Sequence, residues 1–174
     1  KVIAKEIPVF GFYLQPSVGG RILSYSFWEE FCNIDNVYAI KTAPFNRYHT
    51  LEVVRAICNS KRNEDIVLYT GNDDNIVLDL ITPYTIHAGN QLVEKRFVGG
   101  LLGHYAVWTK KSVDLFHHIK DGLKNKTLDY EKMLKIAVEV TEMNAAIFDV
   151  NNNFKGSIAG IHEVLRRQGL LKGI

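Results

Sequence analysis

An α/β fold with a parallel sheet covered by helices is what the sequence predicts, and three observations carry that expectation. Four runs rich in β-branched and aromatic residues, at 7–14, 37–42, 65–70 and 96–102, are each followed by a helical pattern. The connections between them are short, which favours parallel strands joined by helices. Third, the C-terminal ends of the runs, marked by Tyr13, Lys41, Gly71 and Leu102, recur about every 30 residues, the length of one strand–helix unit.

The first run, Ile7 to Leu14, ends in Tyr13-Leu14-Gln15-Pro16, and the proline stops it. Ser24 and Ser26 offer N-caps for a helix over Phe27-Trp28-Glu29-Glu30-Phe31, with Glu29 placed to complete a capping box on Ser26. Val37 to Thr42 is the second strand and Thr50 to Ile57 the helix after it. Asp65 to Thr70 is the third strand, ending at Gly71-Asn72-Asp73, with a helix from Asp74 to Ile81. Arg96 to Leu102 is the fourth, followed by a helix from Lys111 to Lys124 that Thr109 is placed to cap. Beyond Thr127 no strand pattern remains. Leu128, Met133, Leu134, Ile136, Ala137, Val140 and Met143 recur at helical spacing through about Ile147, and a last helix from Ser157 to Gln168 stops at Gly169.

The chain has 174 residues, 47% hydrophobic and 23% charged, enough for a sizeable core. A net charge of +2 is carried in scattered pairs such as Lys61-Arg62, Lys110-Lys111 and Arg166-Arg167, so no basic stripe points to nucleic acid. No apolar run approaches the ~18 residues of a membrane span. Cys32 and Cys58 fall in helical patterns among apolar neighbours, without a disulfide framework or metal-ligand spacing. Reduced core cysteines suit a cytoplasmic protein. The opening residues Val2-Ile3-Ala4-Lys5 read as the end of a helix, as in a piece of something longer.

Lys41 is the residue that asks for chemistry. It stands alone in the uncharged run Val37-Tyr38-Ala39-Ile40-Lys41-Thr42-Ala43, where lysine is rare unless paired or used. A desolvated amine is partly neutral near pH 7 and attacks carbonyl groups to form an imine, an electron sink for breaking a neighbouring bond. The strand alone also accommodates a lysine that reaches solvent or pairs with a carboxylate. Strand alternation places Ala39 and Val37 beside Lys41 and sends Ile40 and Tyr38 to the helices. On the first strand it groups Tyr13 with Gly11 and Val9 on the inner face, and leaves Phe10, Phe12 and Leu14 for the helix side. Tyr13 would then relay protons for Lys41, although a core tyrosine with a satisfied hydroxyl fits the same residue. Whether the sheet closes into a barrel or stays open and doubly wound is left undecided by the pattern.

The order Tyr-x-x-Pro, then Ala-Ile-Lys, then Thr-Gly-Asn-Asp-Asp, then Gly-Gly-Leu-Leu-Gly resembles the dihydrodipicolinate synthase / N-acetylneuraminate lyase family over essentially the whole chain. The resemblance implies a (β/α)8 TIM barrel of class I aldolases and lyases acting on pyruvate or related 2-oxo acids. This chain would be its C-terminal half, strands 5–8 over residues 1–125, with a C-terminal helical extension over 126–174. Lys41 would be the Schiff-base lysine and Tyr13 the relay, while Gly71, Asn72, Asp73, Leu102 and Gly103 would border the substrate. No metal and no organic cofactor is implied. The partners implied are a small 2-oxo acid or aldehyde and a second or further copy of the chain, as a dimer or tetramer. Half a barrel, lacking the second-strand hydroxyl loop, is expected to turn over weakly or not at all alone.

Two departures bear on substrate. The synthases of that family read Tyr-Asn-x-Pro and carry an arginine two residues after the proline; here Leu14 follows the tyrosine, Val18 takes the arginine's place and Arg21 comes later. Losing a bidentate guanidinium argues against lysine biosynthesis. Ala43 stands where sialic-acid lyases resemble one another in having threonine, so another 2-oxo-acid aldolase or a sugar-acid dehydratase stays open. A non-catalytic ligand-binding relative is the competing reading. A small α/β domain holding an anion at helix N-termini ranks below it, since neither Gly19-Gly20 nor Gly99-Gly100 fits a phosphate loop. His104 is read as structural rather than as a polar group at the site mouth.

Overall fold

The computed structural model describes residues 1–173. It forms two compact units: one comprises residues 1–72 and 79–100, the other residues 73–78 and the chain from Leu101 onward.

The first unit holds a four-stranded parallel sheet in the order β1-β2-β3-β6, from β1 (Val9–Leu14), β2 (Val37–Ala43), β3 (Val67–Thr70) and β6 (Phe97–Gly100). These are the four expected strands; β1, β3 and β6 start later than expected, and β2 starts where expected and runs on to Ala43. The sheet is open, with β1 and β6 at its edges. Helix α1 (Tyr25–Cys32) follows β1. Its N-cap is Ser24, which accepts from the Phe27 amide at 3.3 Å. The expected box between Ser26 and Glu29 does not form, because Ser26 already lies inside the helix with its hydroxyl on Ser24 at 2.8 Å. Helix α2 (Arg47–Asn59) starts earlier than the apolar pattern indicates, since Asn46 accepts from the His49 amide and sets the first turn.

One face of this sheet packs on α1 and α2. Ile40, Leu68, Val53, Val54, Ile57, Trp28, Cys32 and Cys58 are nearly or fully inaccessible there. Gly11 permits the contact between β1 and α1: a Cβ at that position would lie 2.6 Å from Cε1 of Phe31. Both cysteines are free, and burial pushes the Cys32 thiol up to about 12.

Between β3 and β6 the chain adds a feature the sequence reading missed. After α3 (Ile76–Ile81) comes an antiparallel hairpin of β4 (Tyr84–Ala88) and β5 (Gln91–Lys95). Its two-residue turn is Gly89-Asn90, with Gly89 at φ +59°, the left-handed first position that a tight hairpin needs.

The second unit is helical beyond Leu101: α4 (His104–Val107), α5 (Thr109–Asn125), α6 (Tyr130–Phe148) and α7 (Ser157–Arg167). Thr109 does not cap α5; its hydroxyl donates to the Tyr105 carbonyl. Asp129 caps α6 through the Lys132 amide, and Gly169, at φ +75°, follows α7 where a stop signal was read. Among the described residues no helix is long and apolar enough to cross a membrane.

Candidate active site

Lys41 lies near the C-terminal end of β2 and is half-buried. Parallel pairing aligns Phe12 of β1, Lys41 of β2 and Tyr69 of β3 across the sheet. Aligned residues in a parallel ladder project to the same side, so these three share a face. Contacts agree. The Lys41 Nζ lies 4.2 Å from the centre of the Phe12 ring. Phe10, two residues earlier on the same face of β1, meets the Tyr69 ring edge-on at 5.3 Å.

Gly71 fits the lysine stem. A Cβ there would stand 2.6 Å from Lys41 Cε and 2.8 Å from the Cβ of Ala43. The Gly71 amide donates to the Thr42 carbonyl at 2.7 Å, fixing the end of β3 against β2. Lys41 and Gly71 are thus brought together as expected.

Tyr13 is not beside them. It aligns with Thr42, one residue out of step with Lys41, and therefore projects from the opposite side of the sheet. Its ring packs against Trp28 at 5.1 Å and His49 at 6.0 Å, both on helices. Its hydroxyl accepts from the Leu23 amide at 3.3 Å. Burial raises its pKa, so the group stays protonated. The expected facing of β1 was inverted for a packing reason. Gly11 and Tyr13 fill the helix side, where Phe31 and Trp28 need that combination of gap and ring, and Phe10 and Phe12 take the Lys41 side. The expected pairing of Tyr13 with Lys41 on one face is not what the strand register gives.

Asn72 is wholly buried and also committed elsewhere. Its amide oxygen accepts from the Phe45 amide at 3.1 Å, and its amide nitrogen donates to Asp79 at 3.0 Å and to Thr50 at 3.4 Å. Asp79 is the centre of this cluster and is inaccessible to solvent. It accepts from Thr70 at 2.6 Å and Tyr84 at 2.9 Å, and pairs with Arg47 at 2.7 Å. Burial first, then the Asp79 charge, pushes the Tyr84 hydroxyl far above the usual phenol range. The cluster ties the β2–α2 loop, including Phe45 at φ +47°, to the end of β3. It was missed in the sequence, although a signal was present: Asp79 is the one charge in Ile76-Val77-Leu78-Asp79-Leu80-Ile81.

Asp73, Leu102 and Gly103 belong to the second unit, where each has a structural task. The Asp73 carboxylate accepts from the His104 amide at 3.0 Å, at the start of α4, and its carbonyl accepts from Asn144 at 2.6 Å. Leu102 is buried, and its carbonyl accepts from the Tyr105 amide. A Cβ at Gly103 would stand 3.1 Å from the Phe148 ring. His104 is buried with Nδ1 2.6 Å from the Asn144 amide oxygen, and burial lowers its pKa. The structural reading of that histidine matches its surroundings. Burial, with the Asp73 charge second, pushes Tyr105 up to about 12. No cluster of three or more acidic, histidine or cysteine side chains among the described residues is arranged to hold a metal ion.

The Lys41 face thus carries an amine, a glycine slot beside it, two phenylalanines and one phenol. It is an apolar, half-exposed sheet face with one amine on it, and an amine so placed can add to a small carbonyl compound.

No protein-family model matches the chain, and no curated protein matches it. Among solved structures it is similar to a dihydrodipicolinate synthase from the commensal bacterium Bacteroides thetaiotaomicron, at 16% identity and a TM-score of 0.66. The likeness covers 95% of this chain and 48% of that one, so the chain spans about half the length of its structural neighbour. On that likeness, the polypeptide takes the fold of about half of a dihydrodipicolinate synthase.

Proposed function

We propose that this polypeptide belongs to an imine-forming lyase or aldolase in which Lys41 condenses with a small 2-oxo acid or related carbonyl compound. The observation that carries this reading is the seat of Lys41. Its stem runs through the space Gly71 leaves open, at the C-terminal end of a parallel strand, with its nitrogen beside the Phe12 ring. Strand C-termini are where chemistry collects in barrels of this class. Glycine at position 71 keeps the path of the lysine stem open, where a side chain would meet both the stem and the Ala43 Cβ.

The reading includes four further strands that complete the barrel, so that the 174-residue piece alone turns over weakly or not at all. The test is reductive trapping. With borohydride and pyruvate, the full-length protein is expected to gain a covalent adduct on the peptide containing Lys41, and Lys41→Ala to lose it. Equal labelling of the Ala variant would remove the assignment.

The commitment of Tyr13 and Asn72 to packing supports a second reading, a barrel that binds a small acid without turning it over. That reading expects saturable binding of the acid by calorimetry and no adduct.

A further inference from the structure

We infer that Tyr69, rather than Tyr13, supplies the hydroxyl that moves protons for Lys41; this rests on the imine reading above. Tyr69 is the register partner of Lys41 on the adjacent strand. Neighbouring strands lie about 4.8 Å apart, so a small molecule joined to the amine meets the tyrosine on the adjoining strand. Its ring is held on that face by the edge of Phe10 at 5.3 Å. The β6 backbone at Gly99 supplies the other support: a Cβ there would approach the Tyr69 Cζ to 3.0 Å and its hydroxyl oxygen to 3.3 Å. Gly99 therefore leaves the space in which the phenol sits, as Gly71 does for the lysine.

The two buried strand tyrosines have used their hydroxyls. Tyr13 binds the Leu23 backbone and Tyr84 binds Asp79 and Arg47. The Tyr69 hydroxyl has no hydrogen bond to a described residue, and the side chain is only half-buried. An uncommitted hydroxyl on the amine's side of the sheet is the placement a proton carrier needs.

The Lys41 nitrogen adds to the carbonyl carbon and one N–H proton passes to the oxygen, giving a carbinolamine. Tyr69 donates its O–H proton as the C–O bond breaks, water leaves and the nitrogen lone pair forms the C=N bond. The resulting phenolate takes a proton from the carbon next to the imine. That C–H pair becomes the C=C bond of the enamine, the C=N pair returns to nitrogen and the hydroxyl is restored. Amine and ketone have become enamine and water, with no other reactant.

Deuterium exchange into the methyl group of pyruvate reads this step apart from imine formation. The full-length protein is placed in deuterium oxide with pyruvate, and exchange is followed by NMR while borohydride trapping is measured in parallel. Tyr69→Phe keeps the ring and its packing; it is expected to retain trapping and to lose exchange by about 100-fold or more, the scale of general acid–base catalysis. Gly99→Ala, which displaces the phenol without altering it, is expected to lower exchange while trapping persists. Tyr13→Phe is expected to keep both. Undiminished exchange in Tyr69→Phe, or its loss in Tyr13→Phe, overturns the assignment to Tyr69 and leaves the imine intact. Absence of trapping in the unaltered protein overturns the imine and the role of Tyr69 with it.

Discussion

Lys41 keeps its position because the residue beside it has no side chain. Gly71→Ala would place a methyl group 2.6 Å from the lysine Cε and 2.8 Å from the Ala43 Cβ, closer than carbons approach. The stem must rotate away, and adduct formation should slow at least tenfold while the melting temperature falls only modestly. An unchanged trapping rate would show that the slot is unnecessary. Asp79 gives the second prediction at this scale. Asp79 is buried and accepts from Thr70, Asn72 and Tyr84, whereas Arg47 is partly exposed, so Asp79→Ala, which leaves those donors unpaired, should cost about 1–3 kcal/mol, and Asp79→Asn less. Chemical denaturation of both variants checks it. Lys41 was legible in the sequence because a lone charge in an apolar run is conspicuous. Asp79 satisfies the same criterion, but the apolar periodicity of Ile76–Ile81 explains its helix without it, so its role shows only in the fold.

The elements were legible where periodicity is strong and opaque where parity matters. All four parallel strands stand in their expected places, since each has a β-branched run and a turn residue after it. Which way each strand faces was harder. A strand apolar on both sides gives no polar alternation, so β1 could be phased either way. The structure phases it by Gly11, whose missing side chain admits Phe31. Gly11→Ala is therefore expected to push α1 off the sheet and to cost about 1–3 kcal/mol, as overpacked cores do. A neutral effect on the urea midpoint would mean that Phe31 swings aside freely. The hairpin of β4 and β5 went unread although Gly89-Asn90 is a favourable turn. Its strands, with Thr85, His87, Gln91 and Glu94, are half polar and lack the apolar run by which the others were found.

For the molecule as a whole, buried titratable groups set the pH range of stability. The Cys32 thiol rises from 9.0 to about 12, and Tyr105 from 10.0 to about 12, both chiefly by burial. Between those values the unfolded chain has released these protons and the native one has not, so stability falls as pH rises through the window. His104 works at the other end: burial lowers its pKa from 6.5, so the unfolded chain takes up the proton first and stability falls as pH drops below 6.5. Urea midpoints should be highest between about pH 6.5 and about pH 9 and decline on both sides. His104→Gln should flatten the acid limb. A curve without that limb in the unaltered protein would place the histidine in water. Asp73, which holds His104 and Asn144, is separated in sequence from both, and the short stretch 73–78 is a detour into the helical unit. A polypeptide cut to begin at Leu101 would carry every later helix yet lack the acceptor that anchors α4 and α6, and a protease nick between Asn72 and Asp79 would loosen the helices while leaving their own sequence untouched.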